Sequence, residues 1–283
     1  NLFETLVIDG YVEGANVFVD FNFNLVQDGG EPSGIFNATT SEYEFNSTEF
    51  GAITNFTETC GLNRPRIAQV PVGALDSTRG VVNTAYTMMY FPHDGGAPKA
   101  NVTPFTTILT NSINEKLSTG ISVADGCGTE ANQLAKDIQS ELNTVLSNLE
   151  RNFEIGRSWF YEDFIASEDS AKQSVGEKIV DFLGTLHDIK SLLKETYNMG
   201  FRGVINDEVV SLILSNTEFD SVTFEIQNET LSTQEGEHFR YNRRHNFYDL
   251  RVNSQGQLLD SQDKPIEITL QNLKNNSTVL ISE

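Results

Sequence analysis

The stretch Asp20-Phe21-Asn22-Phe23-Asn24-Leu25-Val26-Gln27-Asp28-Gly29-Gly30-Glu31 places oxygen-bearing side chains at positions 1, 3, 5, 9 and 12 of a twelve-residue window, with the Val26 carbonyl at position 7. That is the ligand spacing of an EF-hand loop, in which a hard cation gathers six to eight oxygens and the last carboxylate binds through both of its own. Asp20, Asn22, Asn24, Val26, Asp28 and Glu31 are therefore the expected ligands of Ca2+; Mg2+, which demands tighter octahedral geometry, fits less well. Two departures set the loop apart from an EF-hand. Position 6 is Leu25 where the standard loop turns on glycine, and the loop follows strand-like sequence instead of a helix, with Val17, Val19 and Phe21 alternating with Phe18, Asp20 and Asn22. With only Asp20, Asp28 and Glu31 charged, a modest affinity of about 10⁻⁴ to 10⁻³ M is expected, as in extracellular modules. The plain alternative is an Asn-rich turn without metal.

Other chemistry has little support. His93, His187, His238 and His245 are scattered, without the close spacing of a zinc site. No Gly-x-Ser-x-Gly elbow, phosphate-cradling loop or dinucleotide fingerprint is present, and acid pairs such as Glu162 and Asp163 are too common here to nominate a glycosidase. The chain is not expected to be an enzyme. Trp159, Phe160, Tyr161 and Phe164 form an aromatic cluster that suits either the gap between helices or a sugar platform, with packing the preferred reading. His238, Arg240, Arg243, Arg244 and His245 make the one basic stretch, read as a salt-bridged surface or as a dock for an acidic neighbour or an anionic polysaccharide. Asn-x-Ser/Thr sequons at Asn37, Asn46, Asn55, Asn101, Asn228 and Asn276 permit glycosylation in a competent host.

The balance of charge narrows the partners. Forty acidic residues face 19 Lys and Arg over 283 residues, a formal charge of −21. Residues 1–98 hold no lysine and only Arg64, Arg66 and Arg79 against twelve acids, so 3 minus 12 gives −9 there. Such a surface repels nucleic acid and anionic lipid and attracts cations. No run of about 18 apolar residues spans a membrane. Two cysteines, Cys60 and Cys127, fit one disulfide in an oxidising compartment or two buried thiols. The start at Asn1 suggests a processed or excised fragment.

The elements that must position these residues fall into three blocks. Residues 1–100 read as short strands with Gly-rich turns, a β-sandwich. Residues 101–218 read as a helical subdomain or insertion. Thr103-Pro104 caps a first helix with Phe105, Ile108, Leu109, Ile113 and Leu117 on one face; a second starts near Thr129 and uses Leu134, Ile138, Leu142, Val145, Leu146 and Leu149; a third covers 170–198; a fourth covers 207–214. Residues 219–283 return to strands, which complete the first sheet or pair with a neighbouring subunit. The expected class is α+β: a prealbumin- or Ig-like sandwich, a central helical bundle and C-terminal strands.

The run from Gly14 to Val19 into the loop ending Gly29-Gly30-Glu31-Pro32 resembles the start of the serine-aspartate-repeat B-type domains of bacterial surface adhesins, relatives of Cna-B modules; Ala68-Gln-Val-Pro-Val-Gly-Ala-Leu-Asp76 and Val102-Thr-Pro-Phe-Thr-Thr-Ile108 look like segments that follow such a module in large secreted proteins of marine bacteria. The resemblance covers roughly residues 1–120, and its specific part is the calcium loop. It implies a prealbumin-like sandwich, an extracellular place, a mechanical or adhesive role, and calcium ligands at Asp20, Asn22, Asn24, Val26, Asp28 and Glu31. Some Cna-B relatives carry a Lys–Asn isopeptide bond, which the absence of lysine before Lys99 rules out within residues 1–98. Calcium and a Cys60–Cys127 bridge would stabilise the domain in its place.

The expected function is that of an extracellular calcium-stabilised structural or adhesive protein at the cell surface, self-associating or binding other surface proteins, with glycans as further partners. A filament version pairs Val7, Val17 and Val19 of one copy with Val279, Leu280 and Ile281 of another by strand addition. The rivals are a secreted carbohydrate-binding or carbohydrate-processing protein and a bacteriophage structural protein.

Overall fold

The computed structural model describes residues 2–93, 95–111, 117, 120–153, 157–197, 231–234, 238–243, 246–251, 257–259 and 265–269. The chain divides into two compact units, Asn1–Glu177 and Lys178–Glu283. The class is mixed α/β, with several antiparallel sheets and a few helices.

Three sheets build the first unit. β1 (Phe3–Val7) is central in a four-stranded sheet, antiparallel to β5 (Glu42–Phe45) on one side and parallel to β10 (Lys99–Val102) on the other; β4 (Ile35–Asn37) forms its outer edge. β3 (Asn16–Val19), β6 (Arg66–Val70) and β9 (Tyr86–Tyr90) make an antiparallel sheet with β6 in the middle. A small third sheet joins β2 (Val12–Glu13), β7 (Leu75–Asp76) and β8 (Gly80–Val81).

Strand β3 is apolar on both faces because both are covered. Val17, Phe18 and Val19 are all buried, and Phe18 meets Ile67, Met89 and Leu25 on one side. The alternation read from sequence therefore does not mark a solvent face. Val7 lies in a strand already flanked by two others, so it offers no free edge for strand addition. Residues 279–281 lie outside the described residues.

The described residues hold five α-helices: α1 (Glu58–Leu62), α2 (Pro104–Asn111), α3 (Thr129–Phe153), α4 (Ser158–Tyr161) and α5 (Ser170–Tyr197). α2 begins as the sequence indicates. Thr103 Oγ1 accepts from Thr106 N at 3.0 Å and Thr106 Oγ1 from Thr103 N at 2.9 Å, a reciprocal cap ahead of Pro104 at the first helical position. Phe105, Ile108 and Leu109 are buried as the stripe requires; Ile113 lies outside the described residues, and Leu117 is in no helix. Thr107 and Thr110 fold their hydroxyls back onto the carbonyls of Thr103 and Thr106, at 2.7 and 2.9 Å, a back-bonding that bends helices. On α3 the buried face is Ala131, Ala135, Ile138, Leu142 and Leu146, with Leu134 and Val145 at its margin.

Phe160 and Phe164 are buried, and Phe105 packs edge-to-face on Trp159 at 4.8 Å and Phe164 at 5.6 Å. The Lys172 ammonium sits 4.2 Å over the Trp159 ring and 2.6 Å from Glu162 Oε1, and reaches the Trp159 carbonyl. These aromatics fill the junction between α2, α4 and α5.

In the second unit, β11 (Leu231–Gln234), β12 (His238–Arg243) and β13 (Asn246–Arg251) form an antiparallel sheet, and β14 (Gln257–Leu259) pairs with β15 (Pro265–Thr269). The expected helix at 207–214 and residues 219–230, the start of the expected C-terminal strand block, lie outside the described residues. Among the described residues no helix is long and apolar enough to cross a membrane.

Candidate metal centre

The loop 20–31 is held at both ends on one strand. Asp20 N donates to Pro65 O at 3.1 Å as β3 leaves its pairing with β6, and Val19 N accepts the returning chain by donating to Pro32 O at 3.0 Å. Gly34 N then donates to Val17 O at 2.8 Å. The ligand window is thus a closed excursion from β3.

Inside it, aromatic anchors alternate with polar donors. Phe21 and Phe23 are buried; Phe21 packs edge-on to Phe50 and Phe56 at 6.1 and 6.3 Å, and Phe23 lies under the Arg64 guanidinium at 5.3 Å. Phe23 and Leu25 both adopt left-handed backbone, with φ of 60° and 64°. Left-handed backbone costs a non-glycine residue roughly 1–2 kcal/mol. The burial of Phe23 and the packing of Leu25 on Phe18, Ile67 and Met89 offset it. The turn that an EF-hand makes with glycine at position 6 is here made by Leu25.

The polar residues converge by hydrogen bonds. Asp20 Oδ2 accepts from Leu25 N at 2.9 Å and Oδ1 from Asn24 N at 3.3 Å. Glu31 spans the loop, accepting from Phe21 N at 2.7 Å through Oε1 and from Asp28 N at 3.1 Å through Oε2. Asp28 Oδ2 receives the amide groups of Asn22 and Asn24 at 2.7 and 2.6 Å, and Asn24 Oδ1 accepts from Val26 N at 2.8 Å. The Val26 side chain is exposed, so this position contributes only backbone.

Electrostatically the loop is uncompensated. Asp20 and Glu31 are buried, and neither contacts a lysine or arginine among the described residues. Burial pushes the Asp20 carboxyl up to about 6, against the backbone N–H groups that lower it. Burial likewise pushes Glu31 up to about 7, with the neighbouring Asp20 charge adding to the rise. Asn22 Oδ1 is buried without a hydrogen-bond partner.

The chain matches no family model, no curated protein and no solved structure.

The reading of this loop therefore stands on its own geometry. Among the described residues no three His, Cys, Asp or Glu side chains are grouped so as to hold a metal ion, and the loop carboxylates accept from N–H groups. Turning over the Asn22 and Asn24 amides would set each Oδ1 where Nδ2 now meets Asp28 Oδ2, acceptor against acceptor, an arrangement that needs a cation between the oxygens.

Elsewhere, Cys60 and Cys127 form a disulfide with Cα atoms 5.9 Å apart, closing 67 residues of chain. A loop of that length contributes about 4 kcal/mol in the chain-entropy model. In β12, His238 stands opposite Arg251 and Arg240 opposite Asp249; Arg244 and His245 lie outside the described residues.

Two groups escaped the sequence reading. Arg64 and Arg66 are fully buried; Arg66 Nη1 donates to Gly61 O and Arg64 O at 3.1 and 2.6 Å, with its guanidinium 4.9 Å over Phe3. Their isolation as a pair in an otherwise acidic stretch was the available signal. The second group is Asp9, buried beside Asp76, with Arg79 Nη1 and Tyr86 OH each 3.4 Å from Oδ2. A single aspartate after a strand carries no sequence signature.

Proposed function

We propose that this chain is a calcium-stabilised structural or adhesive module of an extracellular assembly. Ca2+ is held in the 20–31 loop by Asp20, Asn22, Asn24, the Val26 carbonyl, Asp28 and Glu31. The observation that carries this reading is the combination of two buried carboxylates without a cationic partner and a buried amide oxygen without a donor in one loop. Buried charge and buried polar atoms left without partners are costly, and a divalent cation relieves both at once. The Cys60–Cys127 disulfide supports an oxidising compartment.

In this reading the sheets of the first unit belong to a prealbumin-like sandwich related to serine-aspartate-repeat B-type domains, and its helices to a bundle. Partners are further copies or other surface proteins. If copies join by strand addition, the outer strand β4, with Ile35 exposed, is a better acceptor than β1.

Thermal unfolding with calcium and with chelator, on the wild type and on Asp20→Ala/Glu31→Ala, tests the proposal. Calcium is expected to raise the wild-type Tm and to leave the double variant unmoved. No calcium effect on the wild type up to about the millimolar range of weak extracellular sites overturns it.

A further inference from the structure

The loop has a back wall that is not part of it. Residues 121–128 run along the loop, and Gly126 touches it most closely: a Cβ there would lie 2.5 Å from Phe21 Cβ and 2.9 Å from Phe21 O. Phe21 sits between the first two donors, Asp20 and Asn22. At the other end of the loop, a Cβ on Gly30 would lie 3.7 Å from Val123 Cγ1.

A second support comes from residues 60–66. The Pro65 carbonyl holds Asp20 N at 3.1 Å. Arg64 links the two supports to each other and to the loop. Its Nε donates to Gly126 O at 2.8 Å and its Nη2 to Asn132 Oδ1 at 2.5 Å; Asn132 Nδ2 donates to Cys127 O at 2.9 Å. The same guanidinium covers Phe23, the anchor between Asn22 and Asn24. The covalent tie between the supports is Cys60–Cys127, one end beside each.

We infer that the Cys60–Cys127 disulfide sets the cation affinity of the 20–31 loop, making it a calcium site whose strength follows the redox state of that pair. This rests on the calcium reading proposed above and adds its regulation. Preorganised donors bind more tightly because ordering them is not charged to the binding step. With the bridge intact, the wall at Gly126 and the support at Pro65 hold Phe21 and Asp20 in fixed relation. Reduction by a dithiol delivers two electrons and two protons, breaks the S–S bond, leaves two thiols and converts the reagent to its cyclic disulfide. Among the described residues, wall and support then keep the Arg64 hydrogen bonds, the contact of Cys60 Sγ with Gly126 O at 3.7 Å, and packing. Linkage is reciprocal, so Ca2+ must protect the bridge by the same factor that the bridge strengthens Ca2+ binding.

The test is calorimetric titration of Ca2+ into the oxidised chain, the dithiothreitol-reduced chain, Cys60→Ser/Cys127→Ser, and Gly126→Ala with its disulfide intact, each checked for native circular dichroism. The reduced chain and the serine variant are expected to bind at least tenfold more weakly, and Gly126→Ala, which pushes on Phe21, to weaken binding as well. Equal affinity in folded oxidised and reduced chains overturns the inference and leaves the calcium site standing. If the bridge-free forms do not fold, Gly126→Ala decides, and unchanged affinity there overturns the inference. Absence of binding to the oxidised chain removes the calcium reading itself.

Discussion

The backbone N–H of Phe21 donates to Glu31 Oε1 at 2.7 Å, so the last donor of the loop closes on the backbone beside the first. Glu31 has a second oxygen on Asp28 N and no cationic partner, so its charge is costly in the absence of a cation. Glu31→Gln keeps the shape and removes the charge, and it turns an NH2 group onto one of the two N–H donors, losing one accepted hydrogen bond. It is expected to weaken Ca2+ binding at least tenfold by calorimetry and to lower the Tm less in chelator than in calcium. A Tm loss in chelator as large as the loss in calcium would mean that the carboxylate is structural only.

The stability of the chelated protein is expected to fall as pH rises from about 5 to 8. Asp9 and Glu31, both pushed up to about 7, and Asp20, pushed up to about 6, bind protons more tightly folded than unfolded. Their contribution is fully present below the ordinary carboxylate value of about 4 and is lost as pH rises through about 6 to 7. Calcium removes the share due to Asp20 and Glu31. The remainder belongs to Asp9, which faces Asp76, Arg79, Tyr86 and Glu177, and Asp9→Asn removes it. Urea unfolding at the two pH values, with chelator and with calcium, reads both slopes.

Leu25→Gly and Phe23→Ala separate backbone from packing within the same turn. Phe23→Ala deletes a fully buried ring and is expected to cost about 3–5 kcal/mol. Leu25→Gly relieves a left-handed φ while losing contact with Phe18, so the two effects oppose and the net change stays within about 1 kcal/mol. Urea midpoints for the two variants check the contrast.

Lys172 is buried between Trp159, Phe105 and Glu162, and burial holds its ammonium below the usual lysine range. Lys172→Met retains the packing and is expected to cost less than about 1.5 kcal/mol, a tolerated volume-conserving swap. Lys172→Ala leaves a cavity under the rings and should cost about 2–5 kcal/mol. Fluorescence of Trp159, the single tryptophan, follows both unfolding curves.

The loop was legible because donor spacing is a local property: Asp20 through Glu31 lie in one continuous window. Helix starts were legible for the same reason, with Thr103-Pro104 and Thr129 both marking real ends. What sequence did not reveal depends on distant partners. The parallel pairing of β1 with β10 joins residues 3–7 to 99–102, and no periodicity reports it. The burial of Arg64 is set by Gly126 and Asn132, more than sixty residues away. Leu25 was read as a defect of the motif because glycine is the usual answer to a left-handed turn. Its packing against Phe18 supplies a different answer, visible only once β3 and β6 are paired.

The Cys60–Cys127 bridge also decides what a protease can do. A cut at any bond between Gly61 and Gly126 leaves the calcium loop and the strands before Cys60 covalently joined to α3 and everything beyond it. Such a nicked molecule keeps its full mass on a non-reducing gel and separates into two fragments only after reduction, so a single cleavage in this span does not shed the N-terminal sheets.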